Sequence, residues 1–422
     1  ASLNNPLLAA IPMFAFMAHV MIKARVVDDL FATANRMVGH LPGGLGFATI
    51  LSCTIFAAIS GSSVATALTI GSTAIPQMQR FGYRARDTYG IIAAGGTLGI
   101  LIPPSGPMIL YSVVSDASIG ALFMAGIIPG IVMTSLMMLT VWIFARRYGW
   151  GSDTPFDFRE LAGAFLEVII VLCFPLSVWL LIQAGLSVNI AVFLALGVLI
   201  ALDWYFDWHA VMALMAPVLL IGGMTMGWFT PTEAAVAAVL WSLFLGLVRY
   251  RTMTFRTLAK ASFDTIETTA AVLFIVTAAS IFAWLLTVSQ AAQLFSDFMF
   301  GLTDNWWTFL IVVNILLLVV GAFLDTIAAI SILVPILMPV AARYGIDPVH
   351  LGIILTLNLM IGLLTPPVGM VLFVLSRIAK MSVERTALAI LPWMIPLFVA
   401  LLLITFIPAI TLWLPTQLGL IR

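Results

Sequence analysis

The sequence predicts an all-α polytopic membrane protein built from inverted repeats, with two re-entrant helical hairpins and two broken helices. Composition, the placement of basic residues and an internal repeat carry that prediction. Of the 422 residues, 63% are hydrophobic and 9% charged, against about 45–50% and about 25% in a soluble domain. Asp, Glu, Lys and Arg are absent from 88–115, 117–145, 168–202, 210–232, 268–296, 348–376 and 386–421; a bilayer crossing needs about 20 such residues. Lys+Arg and Asp+Glu both number 18, which leaves no basic surface for nucleic acid, so charge here reports topology. Cys53 and Cys173 sit in apolar runs and supply neither a disulfide framework nor a cysteine metal site. The first residues lack a basic stretch ahead of an apolar one, so they do not read as a secretory signal, and the absence of an initiator Met suggests a missing N-terminal portion.

Basic residues near helix ends mark the cytoplasmic side. They cluster at Lys23, Arg25 and Arg36; Arg80, Arg84 and Arg86; Arg146, Arg147 and Arg159; Arg249, Arg251, Arg256 and Lys260; and Arg377, Lys380 and Arg385. One further cytoplasmic turn, around Asp203, Asp207 and His209, carries no basic residue. Arg36 and Arg80 bracket 43 residues without formal charge, split by Ser60-Gly61-Ser62-Ser63. Arms of roughly 15 residues fall short of the 17–25 of a full crossing, so a re-entrant hairpin fits better than two spanning helices. Seven crossings follow, near 90–113, 119–145, 161–183, 187–202, 209–227, 232–248 and 265–288, ending outside at Ser289-Gln290. The arms 305–324 and 326–342 flank Asp325, and the next helix ends in the basic cluster from Arg377. A second hairpin entering from outside satisfies both facts.

A shift of 263 positions superimposes the two hairpin regions without a gap. Pro76 falls on Pro339, Arg80 on Arg343, Gly82 on Gly345, Gly99 on Gly362, Pro103-Pro104 on Pro366-Pro367, Gly106 on Gly369, Ser62 on Asp325 and Ala65 on Ala328. An odd number of crossings between the copies makes them face opposite ways, and in such folds substrate and ion sites lie near the midplane on discontinuous helices.

Pro103 and Pro104 stand inside an uncharged run and lack N–H donors, so the helix there breaks. Groups freed by a break in lipid must be met by protein, water or ligand; free carbonyls beside Ser and Thr hydroxyls suit an alkali cation. The second copy places Thr365 before Pro366-Pro367 and adds Asn358; the plainer reading of either site is a proline kink. The tips Ser60-Gly61-Ser62-Ser63 and Asp325-Thr326 would meet the breaks and surround a cavity suited to a cation and an anionic solute. Asp325 is costly at membrane depth unless compensated; if the arms span fully, it is a surface loop residue.

Gly126-x3-Gly130 reads as ordinary close packing, the Trp residues as interface anchors, and His19, His40, His209 and His350 as structural, with no ligand spacing. No Gly-x4-Gly-Lys-Ser/Thr loop occurs, which leaves an ion gradient as the available energy source.

The strings AAISGSSVATAL, GTLGILIPPSGPMILYS, GWFTPTEAAVAAV, FLDTIAAISILVPILMPVA, GIDPVHLGIILTLNLMIGLLTPPVGMVLFV and FIPAITLWLP, spread from LPGGL near residue 42 to the end, resemble the large membrane subunit of tripartite ATP-independent periplasmic (TRAP) transporters. The resemblance implies an elevator-type importer of organic acids such as C4-dicarboxylates or sialic acid, usually driven by Na+, in the bacterial inner membrane. It implies two partners, a small membrane (Q) subunit and a periplasmic substrate-binding protein. Carried over by motif, one sodium site would use Ser60, Gly61, Ser62, Ser63, Pro103 and Ser105, and a second Asp325, Thr326, Thr365 and Pro366. The solute would meet Gly96, Thr97, Asn358 and Gly362. The chain departs from the family in lacking its first helices, in a longer 161–229, and in having Thr66 where an acidic residue is common.

The expected organisation is an N-terminal helix and cytoplasmic linker (1–45), a first transport repeat (46–118), scaffold helices (119–264), an arm helix (265–304), a second transport repeat (305–385) and a C-terminal helix (386–422). A stand-alone ion-coupled carrier is the alternative function, separable by whether uptake needs a binding protein. An intramembrane enzyme would need a histidine beside Ser62 or Ser63, which the topology does not provide. A purely structural subunit gives no reason for two broken helices.

Overall fold

Every regular element is a helix among residues 6–24, 26–152, 154–206, 208 and 211–421, which the computed structural model describes. Arg25, Asp207 and His209 of the topology reading lie outside the described residues. Among the described residues, eight helices are long and apolar enough to cross a membrane, or ten if each of two bent pairs counts as a span. The chain is a polytopic helical membrane protein.

Helices α1 (Ala10–Lys23) and α2 (Val26–Val38) meet at 72°. The expected linker is therefore a helix. Val26, Val27, Leu30, Phe31 and Ala34 recur at helical spacing and are buried, while Asp28 and Asp29 open α2 and Arg36 closes it, as the helix dipole favours.

Helices α3 (Gly44–Ser60) and α4 (Ser63–Arg80) are joined by two residues. Gly61 ends α3 at a φ of 58°, which a side chain resists, and Ser62 caps α4 by accepting from the Ala65 N–H at 3.4 Å. The broken element follows as α5 (Ala85–Leu101) and α6 (Gly106–Ser115), interrupted over 102–105.

The middle of the chain holds α7 (Ile119–Tyr148), α8 (Phe158–Leu172), α9 (Phe174–Gln183), α10 (Val188–Phe206), α11 (Val211–Thr225) and α12 (Pro231–Phe244). The crossing expected at 161–183 is the pair α8 and α9, bent by 41° just before Pro175, whose missing N–H interrupts the ladder. Thr230 and Glu233 start α12 with a reciprocal capping box.

The expected arm at 265–304 is two helices rather than one. Helix α13 (Phe255–Val288) begins before that boundary, and α14 (Ala291–Leu302) follows a turn in which Gln290 takes a φ of 54°. Next come α15 (Trp306–Phe323), α16 (Thr326–Arg343), α17 (Pro348–Gly362) and α18 (Met370–Ala379). The C-terminal segment is also two helices, α19 (Val383–Phe406) and α20 (Ala409–Gln417), with Pro408 at the corner.

Helices α5 and α17 form the centre. Residues 87–101 and 349–362 are buried throughout, and the two helices pack on each other. The arms α3 and α4 pack together and both lie on α5; α15 lies on α17 but barely touches α16, which packs instead on α13, α6, α14 and α17. The two hairpins thus differ in shape. The broken halves cross over: α6 packs on α16 and α18 on α4.

Among the described residues, ion pairs tie elements whose charges the topology groups on one side. Lys23 pairs with Asp264, Arg36 with Glu167 at 2.7 Å, and Arg249 with Asp203 at 2.9 Å. Asp203, in the last turn of α10, takes its cation from Arg249, which closes the π-helical turn 245–249 that follows α12.

Candidate functional site

Both hairpin tips lie against the break of their own repeat. In the first, a Cβ at Gly61 would stand 2.5 Å from the Pro104 carbonyl oxygen, and one at Gly99 would stand 2.7 Å from the Ser62 carbonyl oxygen. Gly96 is pressed as closely on Ala67 of α4. Glycine at 61, 96 and 99 lets the tip and α4 reach the end of α5.

Oxygens converge there. The Ser60 hydroxyl bonds the Thr66 hydroxyl at 2.7 Å, and the Ser62 carbonyl accepts from the Thr66 N–H at 3.0 Å. The carbonyls of Gly99 and Ile100 would receive the N–H groups of residues 103 and 104, but both are prolines. Ser105 is buried and caps α6 by accepting from the Met108 N–H at 3.4 Å. Helix α7 supports this break: Cβ atoms on Gly126 and Gly130 would stand 2.4 Å from the Leu101 carbonyl and 2.7 Å from Ile102. The Gly-x3-Gly pattern therefore seats the break itself.

In the second repeat the contact is reached differently. Gly321 and Gly362 touch through their backbones, and the Val368 N–H donates to the Ala322 carbonyl at 3.2 Å, clamping the break to the end of α15. Asp325 caps α16 by accepting from the Ile327 N–H at 3.0 Å. The Thr365 hydroxyl turns back to the Gly362 carbonyl at 2.7 Å, where Ile102 of the first copy has no hydroxyl to do so. Pro366 follows, and the 366–367 peptide bond, like that at 103–104, is cis.

The residues that open the helices after the tips, Ser63 and Thr326, are 263 positions apart. Both are buried, and neither hydroxyl has a hydrogen-bond partner. Thr356 and the Asn358 Oδ1, in the turns of α17 before its break, are likewise buried and unpartnered.

Of the residues expected at the solute, all are buried. Thr97 donates to the Ala94 carbonyl at 2.5 Å, and Asn358 donates to the Asn314 side chain at 2.6 Å. Gly96 and Gly362 serve helix contacts, as above. The structure thus brings Gly96 against the start of α4 and Gly362 against the end of α15, leaves Thr97 bonded within α5, and brings Asn358 to a polar bridge between α15 and α17. Sequence reading passed over Asn314, which differs from its surroundings in being the one amide within an apolar helix, and gave Thr66 no part in the tip. Among the described residues no three His, Cys, Asp or Glu side chains converge as a metal centre.

Residues 1–410 match the family described as tripartite ATP-independent periplasmic transporter, DctM component. The chain is 36% identical to the C4-dicarboxylate TRAP transporter large permease protein DctM of Rhodobacter capsulatus, over 97% of this chain and 87% of that protein. It is 35% identical to the sialic acid TRAP transporter large permease protein SiaM of Vibrio cholerae, over 98% and 87%. It is 34% identical to the isethionate TRAP transporter permease protein DctMQ of Oleidesulfovibrio alaskensis, over 98% of this chain and 58% of that protein.

Proposed function

Because the chain belongs to the DctM component family of tripartite ATP-independent periplasmic transporters, and is thus a multi-pass permease subunit rather than an enzyme, we propose that it is the translocating part of a sodium-driven importer of a small organic acid. The observation that carries the ion reading is the matched pair of buried, unpartnered hydroxyls on Ser63 and Thr326. A buried hydroxyl left unsatisfied costs about 1–3 kcal/mol, and two at equivalent places in a duplicated element are what a bound cation would compensate.

The first ion would be held by Ser60, Ser62, Ser63 and Thr66 with carbonyls of the 99–105 break, the second by Asp325, Thr326 and carbonyls of the 362–367 break. Hydroxyl and carbonyl oxygens suit a monovalent hard cation, as at unwound helices of other carriers. A carboxylate only at the second tip makes the two sites unequal in charge. The solute would lie between the tips, where the starts of α4 and α16 present N–H groups and positive dipole ends to an anion. Gly96, Asn358 and Gly362 shape that space by holding the helices that bound it, and Thr97 lies beside Gly96 on α5.

The repeats would face opposite ways, and the hairpins would re-enter the membrane rather than cross it. Since α6 packs on α16 and α18 on α4, the two repeats would move as one body, an elevator. The relatives named for C4-dicarboxylate, sialic acid and isethionate favour an acid as cargo. A small membrane subunit and a periplasmic binding protein would complete the assembly in a bacterial inner membrane.

The test is solute uptake into liposomes holding this chain, the small subunit and the binding protein, with and without an inward sodium gradient. Asp325→Ala and the cap-retaining Asp325→Asn serve as variants. Uptake that needs sodium and the binding protein, and falls in both variants, supports the proposal; sodium-independent uptake indifferent to Asp325 overturns the ion assignment. Uptake without the binding protein would instead support a stand-alone carrier.

A further inference from the structure

His350 lies in the first turn of α17, 3% exposed. Its Nε2 is 3.3 Å from the Thr405 carbonyl oxygen, and its Nδ1 is 2.7 Å from the Thr411 hydroxyl. A carbonyl only accepts, so Nε2 carries a hydrogen. The Thr411 hydroxyl also stands 2.9 Å from the Pro408 carbonyl, and its single hydrogen therefore has two places to go.

From this geometry we propose that His350 is a proton-binding site, with the Thr411 hydroxyl as the rotor that accommodates either state. With the ring neutral, Thr411 donates to Nδ1. With the ring protonated, Nδ1–H donates to the Thr411 oxygen, and the hydroxyl hydrogen turns to the Pro408 carbonyl. Every polar atom is satisfied in both states, and one hydroxyl rotation separates them. A histidine held only for packing needs partners for one state. The added proton makes both ring contacts charge-assisted donors, tightening the joint between α17 and the corner of α19 and α20.

The site is also wired inward. The Thr405 hydroxyl accepts from the Asn314 amide at 3.3 Å, and the Asn314 oxygen accepts from Asn358 at 2.6 Å. The chain of bonds thus runs from the corner to the turn of α17 before its break.

Charged groups around the ring are few. On α17 itself, Asp347 caps the helix by accepting from the Val349 and His350 N–H groups at 2.7 and 3.4 Å. Helices α20 and α15 carry no charged residue, and Glu384 and Arg385 lie at the far end of α19 from Thr405. The α7 end near α17 is at Leu122, which meets Gly352, while Arg146 and Arg147 close its other end. On α6, Tyr111 spends its hydroxyl on the Pro348 carbonyl at 2.6 Å, and Asp116 is exposed. Arg86 and Asp87 sit at the start of α5 near Trp393, about three turns of α19 from Thr405. Arg343, closing α16, is held by Ser296 and Gln293 of α14.

The experiment is solid-state NMR of the 15N-histidine-labelled full chain in liposomes, titrated from alkaline to acid pH, and it does not depend on the sodium reading. His350→Gln assigns the resonance. Thr411→Val removes the acceptor of the protonated state, and Thr411→Ser restores it. Expected are a neutral Nε2–H ring at high pH that becomes doubly protonated on acidification, a transition moved by Thr411→Val to about tenfold higher proton concentration, and its return in Thr411→Ser. A ring neutral throughout, an Nδ1–H neutral form, or a transition that Thr411→Val leaves in place overturns the proposal; if His350→Gln misfolds, the two Thr411 variants still decide it.

Discussion

Gly362 of α17 lies backbone to backbone against Gly321 of α15, so close that a Cβ on Gly362 would stand 2.6 Å from the Gly321 Cα. Nothing there is a flexible side-chain end that can swing away. Gly362→Ala is expected to push the second tip off its break and lower stability by about 1–3 kcal/mol, as overpacking does. A thermal melt in detergent reads this, and uptake should fall further than the melt implies; an unchanged melting temperature would contradict the contact.

At the first tip, Gly61→Ala meets two obstacles. Its φ of 58° costs an L-residue about 1–2 kcal/mol, and the new methyl group points at the Pro104 carbonyl 2.5 Å away. The variant should fold less stably and lose affinity for the coupling ion, both measurable by sodium-dependent melting. Gly82→Ala isolates the clash, since Gly82 carries the same backbone penalty at a φ of 81° but has nothing within 4 Å of an added Cβ, so it should lose stability without losing sodium affinity.

Ser63→Ala and Thr326→Val remove hydroxyls that have no protein partner. In sodium-free buffer these variants should melt at or above the wild-type temperature, because an unsatisfied buried group has gone. The rise in melting temperature on adding sodium, which reports binding to the folded state, should shrink in each and vanish in the pair. An intact sodium response in the double variant would remove both hydroxyls from the ion sites.

Arg249 and Asp203 should respond unequally to mutation. The Asp203 side chain is 1% exposed and the Arg249 side chain 25%, so Arg249→Ala strips its guanidinium partner from a buried carboxylate, a loss of about 3 kcal/mol or more. Asp203→Asn leaves an arginine that reaches water and should cost less. Chemical denaturation of the two variants gives the order, and the reverse order would show that the pair is not the main support of that end.

Much of this was legible in the sequence, for a physical reason. A helix in lipid must satisfy its own backbone, so uncharged runs, basic flanks and Pro-Pro interruptions locate helices and breaks with little help from packing. The offset of 263 found Gly99 and Gly362, and the proline pairs at 103–104 and 366–367, because glycine and proline mark backbone positions that side chains cannot replace; the matched hydroxyls of Ser63 and Thr326 emerged only with burial. Less legible were elements whose ends depend on one local conformation. The α13 to α14 turn rests on the positive φ of Gln290, and α2 on a face that only its neighbours bury.

The sequence by itself determined that this is a helical membrane protein with two Pro-Pro-broken elements, because lipid constrains each helix separately and leaves the constraint in its own residues. Tertiary structure alone decided that Asn358 bridges to Asn314, that Thr66 completes the first tip, that Gly126 and Gly130 seat a break, and that the second hairpin splays while the first closes. Those are facts about which helix faces which, and in a chain this apolar many helix pairings bury similar surfaces. Close backbone approach and the pairing of a few buried polar atoms select among them.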